Sequence, residues 1–180
     1  YDYFVDEEKL NKISDLNQVV KIFNLVNKQG RRLVEEDLAL AYICVYWPEI
    51  KDIFREIGEQ LEDKEFYLDF NFLVLCINAV ATGHAKFSNF EKVPEKEVKE
   101  AWEKVRKSVF YLVNLLHDRF YIDSDERYEL TSNALLVPII TYLAKNECEF
   151  RDDEIIKKFQ YWFYSAMLWG RYTRRGKTTP

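Results

Sequence analysis

The segment from residue 94 to about 117 constrains the fold more than any other part of the chain. Its apolar residues recur at alternating steps of three and four, which places them on one face of an α-helix. Its opposite face carries acid-first pairs four residues apart, such as Glu95 and Lys99, which suit the solvent side of a helix. The spacing therefore predicts one long amphipathic helix, whose buried stripe consists of Val98, Trp102, Val105, Val109, Leu112 and Leu116.

The composition extends this prediction from one helix to the whole chain. Only five glycines and four prolines occur among 180 residues, whereas all-β folds need many turns. Hydrophobic residues make up 48% and aromatic residues 16%, which favours a sizeable core built from large rings. We therefore predict an all-α fold, a single domain over residues 1–180 forming an irregular or orthogonal bundle of about seven or eight helices.

Caps and helix breakers divide the chain into further helical segments. Asp69 and Gly83 bracket a stretch, Phe70–Thr82, that is apolar on nearly every side, so it is predicted to be the central and most buried helix. A small hairpin is predicted from 120–122 and 128–130, which flank a polar turn. The other predicted helices span 15 to about 28, 34 to about 46, 48 to 62, 132 or 133 to about 145 with a bend at Pro138, and 152 or 153 to 170.

Charge, cysteine content and hydropathy limit the class of protein. The net charge of −5 argues against a dedicated nucleic-acid-binding domain, although a local basic patch is compatible with it. Cys44, Cys76 and Cys148 are odd in number and far apart, which is typical of thiols in a reducing compartment. The longest apolar stretches, 72–81 and 161–169, are too short to span a bilayer. We therefore expect a cytoplasmic protein without membrane contact.

No pattern of residues predicts catalysis or metal binding. His84 and His117 have no second histidine or cysteine at ligand spacing. Two of the acidic clusters 35–37, 123–126 and 152–154 begin predicted helices, where acids are favoured anyway, and 123–126 lacks the glycine and the distal Glu of a calcium loop. The chain contains no G-x-x-x-x-G-K-[ST], G-x-G-x-x-G or G-x-S-x-G motif. We therefore predict no catalytic residue, no metal site and no cofactor site within this chain.

Two basic clusters are the candidates for contact with nucleic acid or with a neighbouring domain. Arg31 and Arg32 lie in a polar break between two predicted helices, close to Asn27. In the second cluster Tyr172 is flanked by cations, so that a base could stack while phosphates are bound. The alternative for both clusters is a solvated run of charges. The second cluster consists of Arg171, Tyr172, Arg174, Arg175 and Lys177.

The aromatic run at 161–164 has rings on every side of its predicted helix. A helix that is apolar all round lies either in a core or against a partner. Both a core position and docking against a neighbouring domain are compatible with this run.

The stretch "KIFNLVNKQGRRLVEEDLALA", residues 21–41, resembles a segment of the N-terminal domain family of GmrSD-type restriction endonucleases. The family segment reads I-F-x-x-[VIL]-N-x-x-G-x-x-L-[ST]-x-x-D-L-x-x-A. Val34 departs from it, since the family usually has Ser or Thr there as a helix cap. The matching positions are Ile22, Phe23, Val26, Asn27, Gly30, Leu33, Asp37, Leu38 and Ala41 or Ala39.

Downstream segments look like the helical second half of the same family, in the same order. They are "LDFNFLVLCINAV", the helix that contains Trp102, "LTSNALLVPIITYL" and "FQYWFYSAMLWGRYT", whose end is similar to the family's G-R-Y-[ST] element. The resemblance thus covers nearly the whole chain through the order of its motifs.

The resemblance implies a role within a larger protein. Members of the family have a ParB/sulfiredoxin-like first half with a D-G-Q-Q-R motif tied to nucleotide hydrolysis, and many carry a C-terminal nuclease domain with a histidine motif. Neither motif occurs here, and the chain begins with Tyr1 rather than methionine, so we expect a fragment of a longer protein. It would be the non-catalytic helical portion of a nucleotide-dependent restriction protein that acts on foreign or modified DNA. Its expected partners are the ParB-like domain, a nuclease domain and DNA, with a nucleoside triphosphate bound by the full-length protein.

Within that expectation the polar break is predicted to be a structural joint that faces the ParB-like domain. Gly30 would end a helix in the left-handed conformation, and Asn27 would hydrogen-bond the backbone left free there. Arg31 and Arg32 would be exposed in the fragment. A plain loop between two helices is the alternative for the break, and an independent helical interaction module is the alternative for the chain.

Overall fold

The structure, a computed structural model, describes residues 39, 43–44, 47–62, 64, 66–86, 93–120, 122 and 133–170. Within these ranges it contains five α-helices, one 3-10 turn and no strand, which confirms the all-α prediction for this part of the chain. The predicted total of seven or eight helices is not confirmed, because the segment 15–28 and most of 34–46 lie outside the described residues. The helices are α1 (Ile50–Glu62), α2 (Phe70–Thr82), α3 (Glu95–Phe120), α4 (Leu136–Lys145) and α5 (Asp153–Leu168), with the 3-10 turn at Asn133–Leu135.

Helix α2 has the predicted bounds because local signals fix both of its ends. The Asp69 side chain accepts a hydrogen bond from the Phe72 backbone N–H at 2.6 Å, which satisfies one donor of the first turn. Gly83 closes the helix in the left-handed conformation (φ 77°), where its N–H donates to the Ala79 carbonyl. Seven of the 13 residues of α2 are buried, which fits its predicted central position, but Leu136–Lys145 has six of 10 residues buried, so α2 is not the most buried of the described helices.

The core lies where α2, α3 and α4 pack against one another. The stripe predicted on α3 is buried along its whole length. Helix α1 joins this core through Phe54, whose ring centroid lies 4.9 Å from that of Trp102 on α3. Both side chains are almost completely excluded from solvent, so this ring pair fixes α1 against α3.

Helix α3 extends to Phe120, which corrects the prediction that Phe120 begins a hairpin strand. The buried stripe continues at four-residue steps through Leu112, Leu116 and Phe120, so the helical pattern reaches further than predicted. The Ile122 N–H donates to the Leu116 carbonyl at 3.0 Å, which ties the chain after α3 back to the helix. Residues 123–130, which would form the rest of the hairpin, lie outside the described residues.

Side chains of α5 satisfy the carbonyls at the end of α3. The last carbonyls of any helix lack partners within the helix. The Gln160 amide donates to the Arg119 carbonyl at 2.9 Å, and the Tyr164 hydroxyl donates to the Phe120 carbonyl. Arg119 also forms an ion pair with Asp153 at 3.0 Å. Helix α5 therefore caps the C-terminal end of α3 from the side. These contacts fix the orientation of the aromatic side chains of α5.

Proline explains the irregular start of α4. A continuous α-helix was predicted from Ser132 or Asn133 to about residue 145, with a bend at Pro138. The structure has a 3-10 turn at Asn133–Leu135 and begins the α-helix at Leu136. Pro138 thus lies in the first turn of α4, where its missing N–H removes no intrahelical bond.

Candidate functional site

The residues predicted from the sequence to contact nucleic acid or a neighbouring domain lie outside the described residues. The proposed joint and the basic clusters therefore stay predictions. These residues are Asn27, Arg31, Arg32, Arg171, Tyr172, Arg174, Arg175 and Lys177.

Both histidines are on the surface. His84 follows α2 and is exposed, and His117 lies in the last turn of α3 beside Asp118, with 3.0 Å between its Nδ1 and the carboxylate. Among the described residues no three His, Cys, Asp or Glu side chains group as metal ligands would.

The thiols of Cys44 and Cys76 lie in environments that do not suit nucleophilic chemistry. Burial raises the pKa of the Cys44 thiol, an effect that nearby Lys51 partly offsets. Burial raises the pKa of Cys76 well above its usual range. Because the thiolate is the nucleophile, a raised pKa keeps both groups in the unreactive form at neutral pH.

The aromatic run of α5 divides between the core and the surface. Phe163 is fully buried and meets Phe120 edge-to-face at 5.2 Å between ring centroids. Tyr161, by contrast, is 78% exposed. The core interpretation of this run therefore applies to its inward-facing rings, and the docking interpretation applies to its exposed ring.

The C-terminal end of α5 presents an exposed apolar surface, which we call the α5 end surface. It consists of Tyr161, Leu168 and Trp169, of which Leu168 is 85% and Trp169 81% exposed. Tyr161 and Leu168 are seven residues apart and so share one face of the helix. Large apolar side chains grouped in this way are typical of contact surfaces.

A groove between α1 and the start of α2 is the second candidate site. Its volume is about 580 Å³. Two of its lining residues have exposed rings, since Tyr67 is 71% and Phe70 37% exposed. The groove is lined by Arg55, Gly58, Glu59, Glu62, Tyr67, Leu68, Asp69, Phe70 and Asn71.

No sequence pattern predicted this groove, although Gly58 is a signal for it. Gly58 lies in the interior of α1, where glycine costs about 0.5–1 kcal/mol of helix stability relative to alanine. Apart from the backbone of α1 itself, no atom of the described residues lies within 4 Å of the position that a Cβ would occupy, so packing among these residues does not require glycine there. A helix-interior glycine without a packing reason points to the groove that it lines.

Gly58→Ala is expected to raise the free energy of unfolding by about 0.5–1 kcal/mol, because alanine fits the open space and favours the helix. Urea denaturation followed by circular dichroism measures the change. Gly83→Ala is the matched control, since its added Cβ also meets nothing within 4 Å but its φ is 77°. That variant is expected to lose about 1–2 kcal/mol. Equal effects of the two substitutions would contradict this account of both glycines.

Compared with models of protein families, with curated proteins and with solved structures, the chain gives no match. Within the described ranges, no helix has both the length and the apolar character needed to cross a membrane.

Proposed function

We propose that this chain is the non-catalytic helical portion of a nucleotide-dependent restriction protein acting on foreign or modified DNA. In this proposal the helical bundle braces a ParB-like domain and transmits its nucleotide-bound state to an effector nuclease. The order of motifs that resemble the GmrSD-type N-terminal domain family supports the class of protein.

The observation that carries the bracing role is the α5 end surface. Leu168 and Trp169 are exposed at the end of a helix that Gln160 and Tyr164, in its earlier turns, hold against α3. An apolar surface on a rigidly held helix suits a lasting contact with a neighbouring domain. Residues 171–177, the basic segment of the sequence, follow it directly.

The test measures nucleotide-dependent cleavage of modified phage DNA by the full-length protein. Leu168→Ser combined with Trp169→Ser is expected to reduce cleavage at least about tenfold, because large apolar anchors dominate such contacts. Thermal unfolding of the variant should be nearly unchanged, since both side chains are exposed. Lys157→Ser combined with Lys158→Ser is the control on the same helix, and it should cleave within about twofold of the unmodified protein because exposed ion pairs contribute little.

Unchanged cleavage by the Leu168/Trp169 variant would contradict the bracing role. The predicted joint is tested in the same assay by Arg31→Ala combined with Arg32→Ala, which is expected to impair cleavage while leaving stability nearly unchanged. If the Arg31/Arg32 variant cleaves normally, the joint is a plain loop.

The second candidate function is an independent helical interaction module whose last helix docks a protein partner. The exposure of Tyr161, Leu168 and Trp169 favours it equally. A D-G-Q-Q-R motif encoded upstream of Tyr1, together with nucleotide hydrolysis by the full-length protein, would decide for the restriction protein. A gene without that motif and a product without nucleotide-dependent activity would decide for the module.

A further inference from the structure

We propose that the groove between α1 and the start of α2 binds an arginine side chain presented by a partner protein. The proposal is independent of the restriction function, since it rests on the rings, the glycine and the charges that line this groove.

The rings provide a flat surface that is already in position. Phe70 packs against Phe54 at 5.7 Å between ring centroids, so the core fixes it from one side while part of it stays exposed. Tyr67 is far more exposed and lines the same groove. Exposed aromatic faces attract cations, and a planar guanidinium also stacks on them.

Gly58 leaves the backbone of α1 accessible from the groove. The space that a side chain would occupy there is empty, so a ligand could approach the helix backbone closely. Glycine is a common choice where backbone and ligand approach each other. Access for a ligand would thereby explain why α1 keeps a glycine at a position where alanine would make the helix more stable.

The charges of the groove favour a cation. Three carboxylates, those of Glu59, Glu62 and Asp69, line it together with one guanidinium, that of Arg55. Arg55 is paired with Asp52 at 2.7 Å, and Lys64 donates to Asn114 on α3 at 2.7 Å. Within the described part of the chain Glu59 and Glu62 form no ion pair, so their carboxylates are available to a ligand.

The combination favours arginine over other ligands. Glu59 and Glu62 are three residues apart and therefore neighbours on one face of α1. A guanidinium can bind carboxylates through its fork of donors while its plane lies on a ring, whereas the ammonium of lysine is a point charge. A nucleotide could stack on the same rings, but its phosphates would be repelled by the carboxylates.

The test is an NMR titration of the ¹⁵N-labelled chain with the peptide acetyl-Gly-Arg-Arg-Gly-amide. The backbone amides of Gly58, Tyr67 and Phe70 are expected to shift saturably. The peptide with citrulline in place of arginine keeps the shape but loses the charge, and it is expected to bind at least about tenfold more weakly.

Variants of the chain connect binding to the groove. Glu59→Gln combined with Glu62→Gln should weaken binding of the arginine peptide about tenfold. Glu49→Gln combined with Glu56→Gln removes the same charge from α1 and the turn before it, outside the groove, and should change binding less than about twofold. Gly58→Ala should weaken binding severalfold while raising the unfolding midpoint, a combination that damage to the fold cannot produce.

Three results would each overturn the proposal. The first is an equal affinity for the arginine and citrulline peptides, and the second is an equal effect of the two glutamine double variants. The third is the absence of shifts at the three groove amides at roughly 10 mM peptide, a concentration that saturates millimolar sites.

Discussion

Trp102→Ala is expected to lower the free energy of unfolding by about 3–5 kcal/mol, which is the usual cost of removing a large buried aromatic side chain. Trp102 is nearly inaccessible to solvent and lies in the buried stripe of α3. Its ring meets Phe54, which fixes α1 against α3. The substitution therefore leaves a cavity and also removes the ring contact between two helices. Because small domains have only about 5–15 kcal/mol of stability in total, this variant should be close to unfolding at 37 °C.

The measurement is urea denaturation followed by far-ultraviolet circular dichroism, which does not depend on the tryptophan removed. Trp169→Ala is the matched control, because it makes the same chemical change at a side chain that is 81% exposed. Its free energy of unfolding should change by less than about 0.5 kcal/mol. Similar losses in the two variants would show that Trp102 is not the core residue described here.

Asn78→Asp is expected to destabilise the protein by about 3 kcal/mol at pH 7, the order of magnitude for burying an unpaired polar or charged group. Asn78 is completely buried in α2, and its Nδ2 donates to the His84 carbonyl at 2.8 Å and to the Lys86 carbonyl at 3.2 Å. Thr82 completes the arrangement, since its hydroxyl donates to the Asn78 carbonyl at 2.8 Å. These bonds tie the chain after α2 to the helix. An aspartate would lose both donors and bring a buried negative charge towards two carbonyl oxygens.

The pH dependence of this variant follows from the same geometry. Burial and the two carbonyls disfavour the charged carboxylate, so the pKa of the new carboxyl should be raised in the folded state. As the pH rises, the carboxyl therefore loses its proton at a lower pH in the unfolded chain than in the folded chain, because in the folded chain the charged carboxylate would be buried. The loss of unfolding free energy relative to the unmodified protein is therefore largest above the pKa that the new carboxyl has in the folded state. This loss becomes smaller as the pH falls from 7 towards about 4.

Asn71→Asp is the control, because Asn71 is exposed in the first turn of α2. A negative charge there should leave the free energy of unfolding unchanged or raise it slightly, since helix N-termini favour acids. Unfolding measured at pH 7 and at pH 4.5 separates the two variants. A deficit for Asn78→Asp that does not narrow at low pH would contradict the burial of a charge at this position.

Local signals in the sequence were sufficient for the bounds of α2, and they placed the start of α5 at residue 152 or 153, of which the structure has Asp152 as the cap. Asp69 and Asp152 each accept a hydrogen bond from a backbone N–H three residues later, and Gly83 ends α2 in the left-handed conformation. Both interactions involve residues close in sequence. Periodicity alone likewise predicted the buried stripe of α3, because that stripe depends only on the helical repeat.

The candidate sites required the tertiary structure. Only the packing of α5 against α3 decides that Phe163 is buried while Tyr161 is exposed, since both belong to one aromatic run. The end of α3 is a different case, because its apolar repeat continues to Phe120 and periodicity alone could have placed it there. Only the partner of the Phe120 carbonyl, Tyr164, lies 44 residues away and required the tertiary structure.

The sequence by itself determined the helical class, the ends of α2 and the apolar face of α3, because caps and periodicity act over a few neighbouring residues. Only the tertiary structure decided which rings are exposed, that Asn78 is buried, and that Glu59 and Glu62 line the same groove as Tyr67 and Phe70. These features join residues from different elements, and their burial and partners depend on how the helices pack rather than on any local pattern.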